Sequence, residues 1–203
     1  MTACRELPDV TLIGARYSVY TRVCTSVLHM KGVAHAFEEL DIFTEDGPAK
    51  ARMSGQPFGK IPILRHGELT LYETLAITRY IDDRFDGPPL QPGDPADRAR
   101  MNQILSIVDT QVYPVLVWAL HVPKSEGRQP APGMLEKGRA ILAVLESFAG
   151  PGWLCGNEPS LADAYLAACM EYILASDAGD RFAGRAPRLW NWWRRARTLP
   201  PLS

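Results

Sequence analysis

The sequence predicts two parts: a mixed α/β unit on a four-stranded sheet, then an all-helical bundle. Three observations carry that prediction. Up to Phe85 the apolar patterning alternates between strand and helix in the order β-α-β-(α)-β-β-α. Asp86 to Pro95 reads DGPPLQPGDP, in which four of ten residues are Pro and two are Gly. Neither a helix nor a central strand tolerates that composition. Beyond this break almost all apolar spacing is helical. The expected organisation is an α/β domain over residues 1–85, a linker over 86–95 and a helical domain over 96–203.

The elements follow in order. Asp9 to Gly14, with Val10-Thr11-Leu12-Ile13 at its centre, reads as the first strand. A helix is expected from Ser18, with Val19, Val23, Val27 and Met30 on one stripe and Gly32 closing it. Ala36 to Ile42 is a weaker second strand, and Ala49 to Met53 a short helix. A crossover helix is too long for a hairpin connection, so the first two strands should pair in parallel. Ile61 to Arg65 and Glu68 to Tyr72 are short strands joined by His66-Gly67, a hairpin that adds antiparallel strands. Ile77, Tyr80, Ile81 and Phe85 then recur at helical spacing, so Glu73-Thr74 stands where a helix begins.

In the second part, Arg98 to His121 is a long apolar-striped helix in which Pro114 predicts a kink. Pro123 to Pro132 reads as a polar loop and Leu135 to Phe148 as a further helix. Ser160 and Asp163 have the spacing of a reciprocal capping box ahead of an apolar run through Tyr172, a structural role without chemistry. Pro187 to Thr198 is a last helix, with Leu189, Trp192 and Trp193 on a packed stripe.

The 203 residues are 46% hydrophobic and 22% charged, ordinary values for a globular protein. A net charge of −1 gives no field to attract nucleic acid or an anionic membrane, so neither is an expected partner. No uninterrupted apolar run reaches the ~18 residues of a membrane span. The opening MTACRELPDV lacks the order of a signal peptide, which makes the cytoplasm the expected location. Cys4, Cys24, Cys155 and Cys169 form no CxxC pair, so a metal cage is not expected. Cys24 and Cys169 sit among apolar neighbours and read as buried thiols.

Three places could carry chemistry. Pro62 cannot donate to a ladder, so it marks an edge, a strand start or a cis bond. With a cis bond at a strand start, the N–H and C=O of Ile61 can pair with a short extended peptide. The alternative is an edge proline with no ligand. Glu73-Thr74 opens a helix, where free N–H groups suit a carboxylate and Glu73 could accept from an ammonium. The alternative is that Thr74 caps its own helix. Finally, Tyr17-Ser18-Val19-Tyr20-Thr21-Arg22 begins the first helix at the carboxyl end of the first strand, the edge where open α/β sheets bind ligands. A hydroxyl there can stabilise a thiolate, or Ser18 can be a helix cap alone.

Together these places resemble the glutathione S-transferase family over nearly the whole chain. S-V-Y-T-R looks like the family's S-x-x-x-R segment, F-G-K-I-P its F-G-[QK]-[VI]-P motif, and L-Y-E-T-L-A-I its L-x-E-S-x-A-I. S-L-A-D matches the capping box of its helical domain, and the pattern is most similar to a bacterial, serine-hydroxyl branch. The resemblance implies a thioredoxin-like N-terminal domain, an all-helical C-terminal domain and a homodimer. It implies a cytoplasmic detoxification transferase that joins glutathione, its co-substrate, to a small hydrophobic electrophile, with no covalently bound cofactor. By motif, Ile61 before cis-Pro62 would hold the cysteinyl backbone, and Glu73 and Thr74 the γ-glutamyl end. Lys60 would assist with a carboxylate. Ser18 would be the catalytic hydroxyl, with Tyr17 and Tyr20 as runners-up. Tyr113 and Trp118 on the long helix would line the second-substrate pocket, the alternative being that both are bundle core. The same motifs fit a glutathione-dependent isomerase, a reductase or peroxidase, or a non-catalytic module that binds glutathione or a protein.

Overall fold

The computed structural model describes residues 9–174 and 185–200, and these divide into two compact units that meet in sequence between Pro88 and Pro89. The first contains β1 (Val10–Gly14), α1 (Val19–Met30), β2 (Ala36–Glu39), α2 (Gly47–Met53), β3 (Ile63–His66), β4 (Leu69–Tyr72) and α3 (Thr74–Arg84). The strand order is β2-β1-β3-β4. β1 and β2 are parallel, and the other two pairs are antiparallel. This is the expected four-stranded mixed sheet.

Side-chain alternation divides its core. Ile13 and Ile63 are partners across β1 and β3, and they pack with Leu40 and Ala51 on the α2 side. Leu12 and Leu64, the next partners, point to the opposite face, where α1 and α3 lie against each other. Val23, Cys24, Val27 and Leu28 of α1 and Ile77 and Ile81 of α3 are fully buried there. An ion pair ties the far end of these helices: Lys31 Nζ lies 3.0 Å from Asp82 Oδ1 and donates to the Pro88 carbonyl at 3.2 Å.

The hairpin differs from expectation in register. β3 begins at Ile63, two residues later than the apolar run suggested, because Pro62 has no N–H to give the ladder. The connection is Gly67-Glu68 rather than His66-Gly67, with Gly67 at φ 55° in the first turn position. Only glycine takes that conformation at no cost, and it matches the twist of the strands. β2 ends at Glu39, short of the expected Ile42, and α2 begins at Gly47, two residues earlier than expected, with Pro48 in its first turn.

The second unit opens with α4 (Pro95–Ile107), capped by Asp94, whose Oδ1 accepts from the N–H groups of Ala96 and Asp97. Around Pro114 the helix widens into a π segment over Val108–His121, seen where the Val122 N–H reaches the Val117 carbonyl, five residues back. Wider winding accommodates a proline that blocks the ordinary ladder. α5 (Val122–Ser125) continues the helix into the stretch expected to be loop. By length and mean hydropathy Pro95–Ser125 could cross a membrane, contrary to the count of uninterrupted apolar runs, because averaging tolerates interspersed polar residues. Its apolar stripe, from Met101 through Leu116, is buried within the unit.

The other helices among the described residues of this unit are α6 (Met134–Phe148), α7 (Leu161–Leu174) and α8 (Pro187–Ala196). Every residue from Leu161 to Met170 is buried, so α7 is the central helix. The Ser160–Asp163 pair is one-sided rather than reciprocal: Asp163 Oδ2 accepts from both the N–H and the Oγ–H of Ser160, each at 2.8 Å. Asp163 Oδ1 accepts from the Leu154 N–H at 3.0 Å and from the Trp192 indole at 2.7 Å. α8 has no cap of its own, and Glu146 of α6 supplies one by accepting from the N–H groups of Arg188 and Leu189. Leu189, Trp192 and Trp193 are all buried, as their spacing indicated.

Candidate active site

Ile13, Ile63 and Tyr72 are lateral neighbours across β1, β3 and β4. The end of β1, the start of β3 and the end of β4 therefore share one end of the sheet, within two strand spacings of about 10 Å. The loop after β1 leads to Ser18, the residues before β3 are Lys60, Ile61 and Pro62, and the residues after β4 are Glu73 and Thr74. Register alone brings the three motifs together.

Ser18 is the N-cap of α1, with extended backbone (φ −72°, ψ 123°). Its Oγ accepts from the Thr21 N–H at 3.3 Å, which uses a lone pair and leaves the hydroxyl proton to donate elsewhere. The first turn of α1 holds no acidic residue, so positive potential from its N–H groups is not cancelled there. Tyr17 is differently placed. Its hydroxyl donates to Asp41 Oδ1 at 2.5 Å, and burial together with that carboxylate pushes the phenol pKa well above its ordinary value. The bond with Tyr17, aided by the Phe43 N–H, holds Asp41 below the usual carboxylate range. Tyr20 is half-buried in the first turn of α1.

The Ile61–Pro62 peptide is cis. Strand pairing starts at Ile63, so Ile61 lies outside the ladder while its side chain packs on the Ile13–Ile63 cluster. Lys60 is exposed. Buried Gln56 fixes the loop that carries it, with Oε1 accepting from the N–H groups of Phe58 at 2.6 Å and Lys60 at 3.2 Å.

Among the described residues Glu73 is the one non-glycine with positive φ (68°, ψ 116°). Such a conformation costs about 1–3 kcal/mol in a residue with a Cβ and is concentrated at functional sites. Glu73 occupies the N-cap position of α3 without a side-chain cap bond, and its side chain is exposed. Thr74 is the first helical residue and is buried, so it does not cap its own helix.

Tyr113 and Trp118 both lie in the π segment of the helical unit, their rings edge to face at 6.3 Å. Trp118 is 43% exposed, whereas Tyr113 is half-buried, and burial raises its phenol pKa. Among the described residues no cluster of His, Cys, Asp or Glu could hold a metal ion. Cys24, Cys155 and Cys169 are buried, and burial pushes each thiol upward, Cys155 to about 11.

Sequence reasoning missed Asp41 and Gln56. Asp41 meets Tyr17 from another loop, so no local spacing reveals it. Gln56 had a weak signal, a polar residue set between Gly55 and Gly59 in a tight loop.

A cis proline before an edge hairpin, a helix terminus on each side and a separate helical unit define a thioredoxin-like, two-domain class. Residues 12–89 match the glutathione S-transferase N-terminal domain and residues 128–195 the C-terminal domain. The chain is 30% identical over 168 residues to a stringent starvation protein A homolog of Pasteurella multocida, covering 82% of this chain and 76% of that one. It is 30% identical over 159 residues to glutathione S-transferase 1 of Dianthus caryophyllus, covering 75% and 70%. A solved glutathione S-transferase from Pseudomonas fluorescens has the same fold, with a TM-score of 0.79 over 95% of this chain and 98% of that one at 22% identity. The chain belongs to the glutathione S-transferase family.

Proposed function

We propose that the protein is a glutathione transferase in which the helix-capping hydroxyl of Ser18 stabilises the glutathione thiolate for attack on a small hydrophobic electrophile. The observation that carries this reading is the shared sheet end, where Ser18, Ile61 and Glu73-Thr74 offer three handles in one place. Ile61 outside the ladder suits the cysteinyl backbone. The Thr74 end of α3 suits the γ-glutamyl carboxylate, Glu73 its ammonium, and Lys60 the second carboxylate. Ser18 Oγ–H then donates to the sulfur, aided by the α1 terminus, which lowers the thiol pKa and raises the nucleophile's concentration at neutral pH. The thiolate forms the new C–S bond as the leaving group departs with the electron pair. Tyr17 is a poorer donor because its hydroxyl already donates to Asp41.

The ring contact between half-buried Tyr113 and exposed Trp118 supports a second-substrate surface on the helical unit. The family and the exposed apolar side chains of Met53 and Phe58 support a homodimer in the cytoplasm. Isomerisation and peroxide reduction would use the same thiolate. A non-catalytic reading draws on the relatives called stringent starvation protein A homologs. The test is retention on immobilised glutathione followed by conjugation with a generic aryl halide. Absence of binding at millimolar glutathione overturns every glutathione reading, and binding without turnover across an electrophile panel favours the module.

A further inference from the structure

In the helical unit a cleft of about 740 Å³ lies between the loop that follows α6 and the outer face of α8. Gly150 and Pro151 form one wall, and Arg188, Asn191, Arg194 and Arg195 the other. Their spacing of three, six and seven residues places the four side chains on one side of the helix, opposite the buried Leu189, Trp192 and Trp193. Three guanidinium groups and no carboxylate line the space. Glu146 accepts from Arg188 Nε at 3.3 Å and compensates that charge, but it leaves the terminal nitrogens as donors. Arg195 Nη2 donates to the carbonyls of Gly150 and Gly152, which fixes the guanidinium without neutralising it. Its Nε–H is buried with no hydrogen-bond partner, the kind of orphaned donor that a bound anion relieves. Arg194 is exposed and has no ion-pair or hydrogen-bond partner among the described residues.

That lining selects among anions. No Leu, Ile, Val, Phe or Trp side chain belongs to it, so an apolar organic body would gain little burial there. Single-stranded nucleic acid binds by stacking on aromatic faces, and Trp192 and Trp193 are turned into the core. Affinity must come from charge and from the planar forks of arginine, which match phosphate oxygens two at a time. At 1.5 Å per residue, the stretch from Arg188 to Arg195 spans about 10 Å of helix, more than a single phosphate reaches. We propose that this cleft is a binding site for an oligophosphate, a chain of two or more phosphoryl groups, free or as the tail of a nucleotide. The protein's net charge of −1 supplies no long-range pull, so recognition rests on the local geometry. The site lies wholly within the helical unit and does not depend on the glutathione reading.

The experiment is titration calorimetry of the full-length protein with sodium tripolyphosphate, orthophosphate and the tricarboxylate citrate. Tripolyphosphate binds at least ~10-fold more tightly than either of the others, the scale of one additional charge-assisted contact. Adenosine triphosphate distinguishes the two sources of the chain. Affinity equal to that of tripolyphosphate shows that the chain alone is read, tighter binding shows that a nucleoside is read as well, and each supports the site. Arg194→Glu lowers tripolyphosphate affinity at least ~10-fold. Arg197→Glu, the same charge change on the same end of the helix but outside the cleft, leaves it nearly unaltered. Both side chains are exposed, so neither substitution disturbs packing. Saturating glutathione leaves tripolyphosphate binding unchanged, which separates this site from the thiol site. Four results overturn the proposal: no saturable binding at millimolar tripolyphosphate, equal affinity for orthophosphate or citrate, a loss in Arg197→Glu as large as in Arg194→Glu, or displacement by glutathione.

Discussion

Glu73 sets stability against binding, and two substitutions separate the contributions. Its backbone at φ 68°, ψ 116° is forced on a residue with a Cβ, at a cost of about 1–3 kcal/mol. Glycine takes that conformation freely but loses about 0.5–1 kcal/mol of additional chain entropy on folding. Glu73→Gly should therefore raise stability by up to about 2.5 kcal/mol, whereas Glu73→Ala keeps the strain and should leave stability nearly unchanged. Both remove the carboxylate proposed to receive the glutathione ammonium, a charged contact worth ~1.5–3 kcal/mol. Affinity should then fall roughly 10- to 150-fold in each. Urea unfolding at constant slope reads the first quantity and titration calorimetry with glutathione the second. A Gly variant no more stable than the Ala variant would refute the strain. Unchanged glutathione affinity in both would remove Glu73 from the site.

Two further predictions concern the groups that support the fold and the loop beside Ser18. Asp163→Ala strands four donors, two of them from Leu154 and Trp192, in the buried centre of the helical unit. It should cost about 3–5 kcal/mol in urea unfolding, and a loss below ~1 kcal/mol would show that water replaces the carboxylate. Tyr17→Phe should return the Asp41 carboxyl toward its ordinary range, because the Tyr17 hydrogen bond is the main cause of its depression. A depressed carboxyl contributes stability that is present above its unfolded value of about 3.9 and lost as pH falls through the folded one. Stability should accordingly depend less on pH across the acid range in the variant, read by unfolding at a series of pH values, and an unaltered profile contradicts the pairing.

Much of the fold was legible because patterning and punctuation agreed. The Pro- and Gly-rich stretch, the period-two runs and the apolar helical stripes each reported a local constraint. Errors arose where a constraint was not local. Pro62 sits in an apolar run that looks like strand, but its missing N–H delays the ladder to Ile63. Pro114 marks a disturbance in the long helix, but the wide winding that accommodates it leaves no local signal. The spacing of Ser160 and Asp163 announced a helix start, but the indole of Trp192 comes from a distant helix and left no trace in that spacing. At the candidate site, Ser18, Ile61 and Glu73 were each visible as a local oddity. Their common location became visible only through the register that aligns Ile13, Ile63 and Tyr72. The engagement of Tyr17 by Asp41 needed coordinates, and it is what separates the two hydroxyls.

The central claim is that Ser18 holds the glutathione sulfur as a thiolate, and the ultraviolet thiolate band of bound glutathione tests it directly. In the native protein that band should titrate below the ~8.5 of a free cysteine thiol. In Ser18→Ala it should move upward by about 1–2 pH units, the equivalent of one charge-assisted hydrogen bond, while Tyr17→Phe leaves it in place. A band that stays put in Ser18→Ala, or that moves in Tyr17→Phe instead, contradicts the assignment.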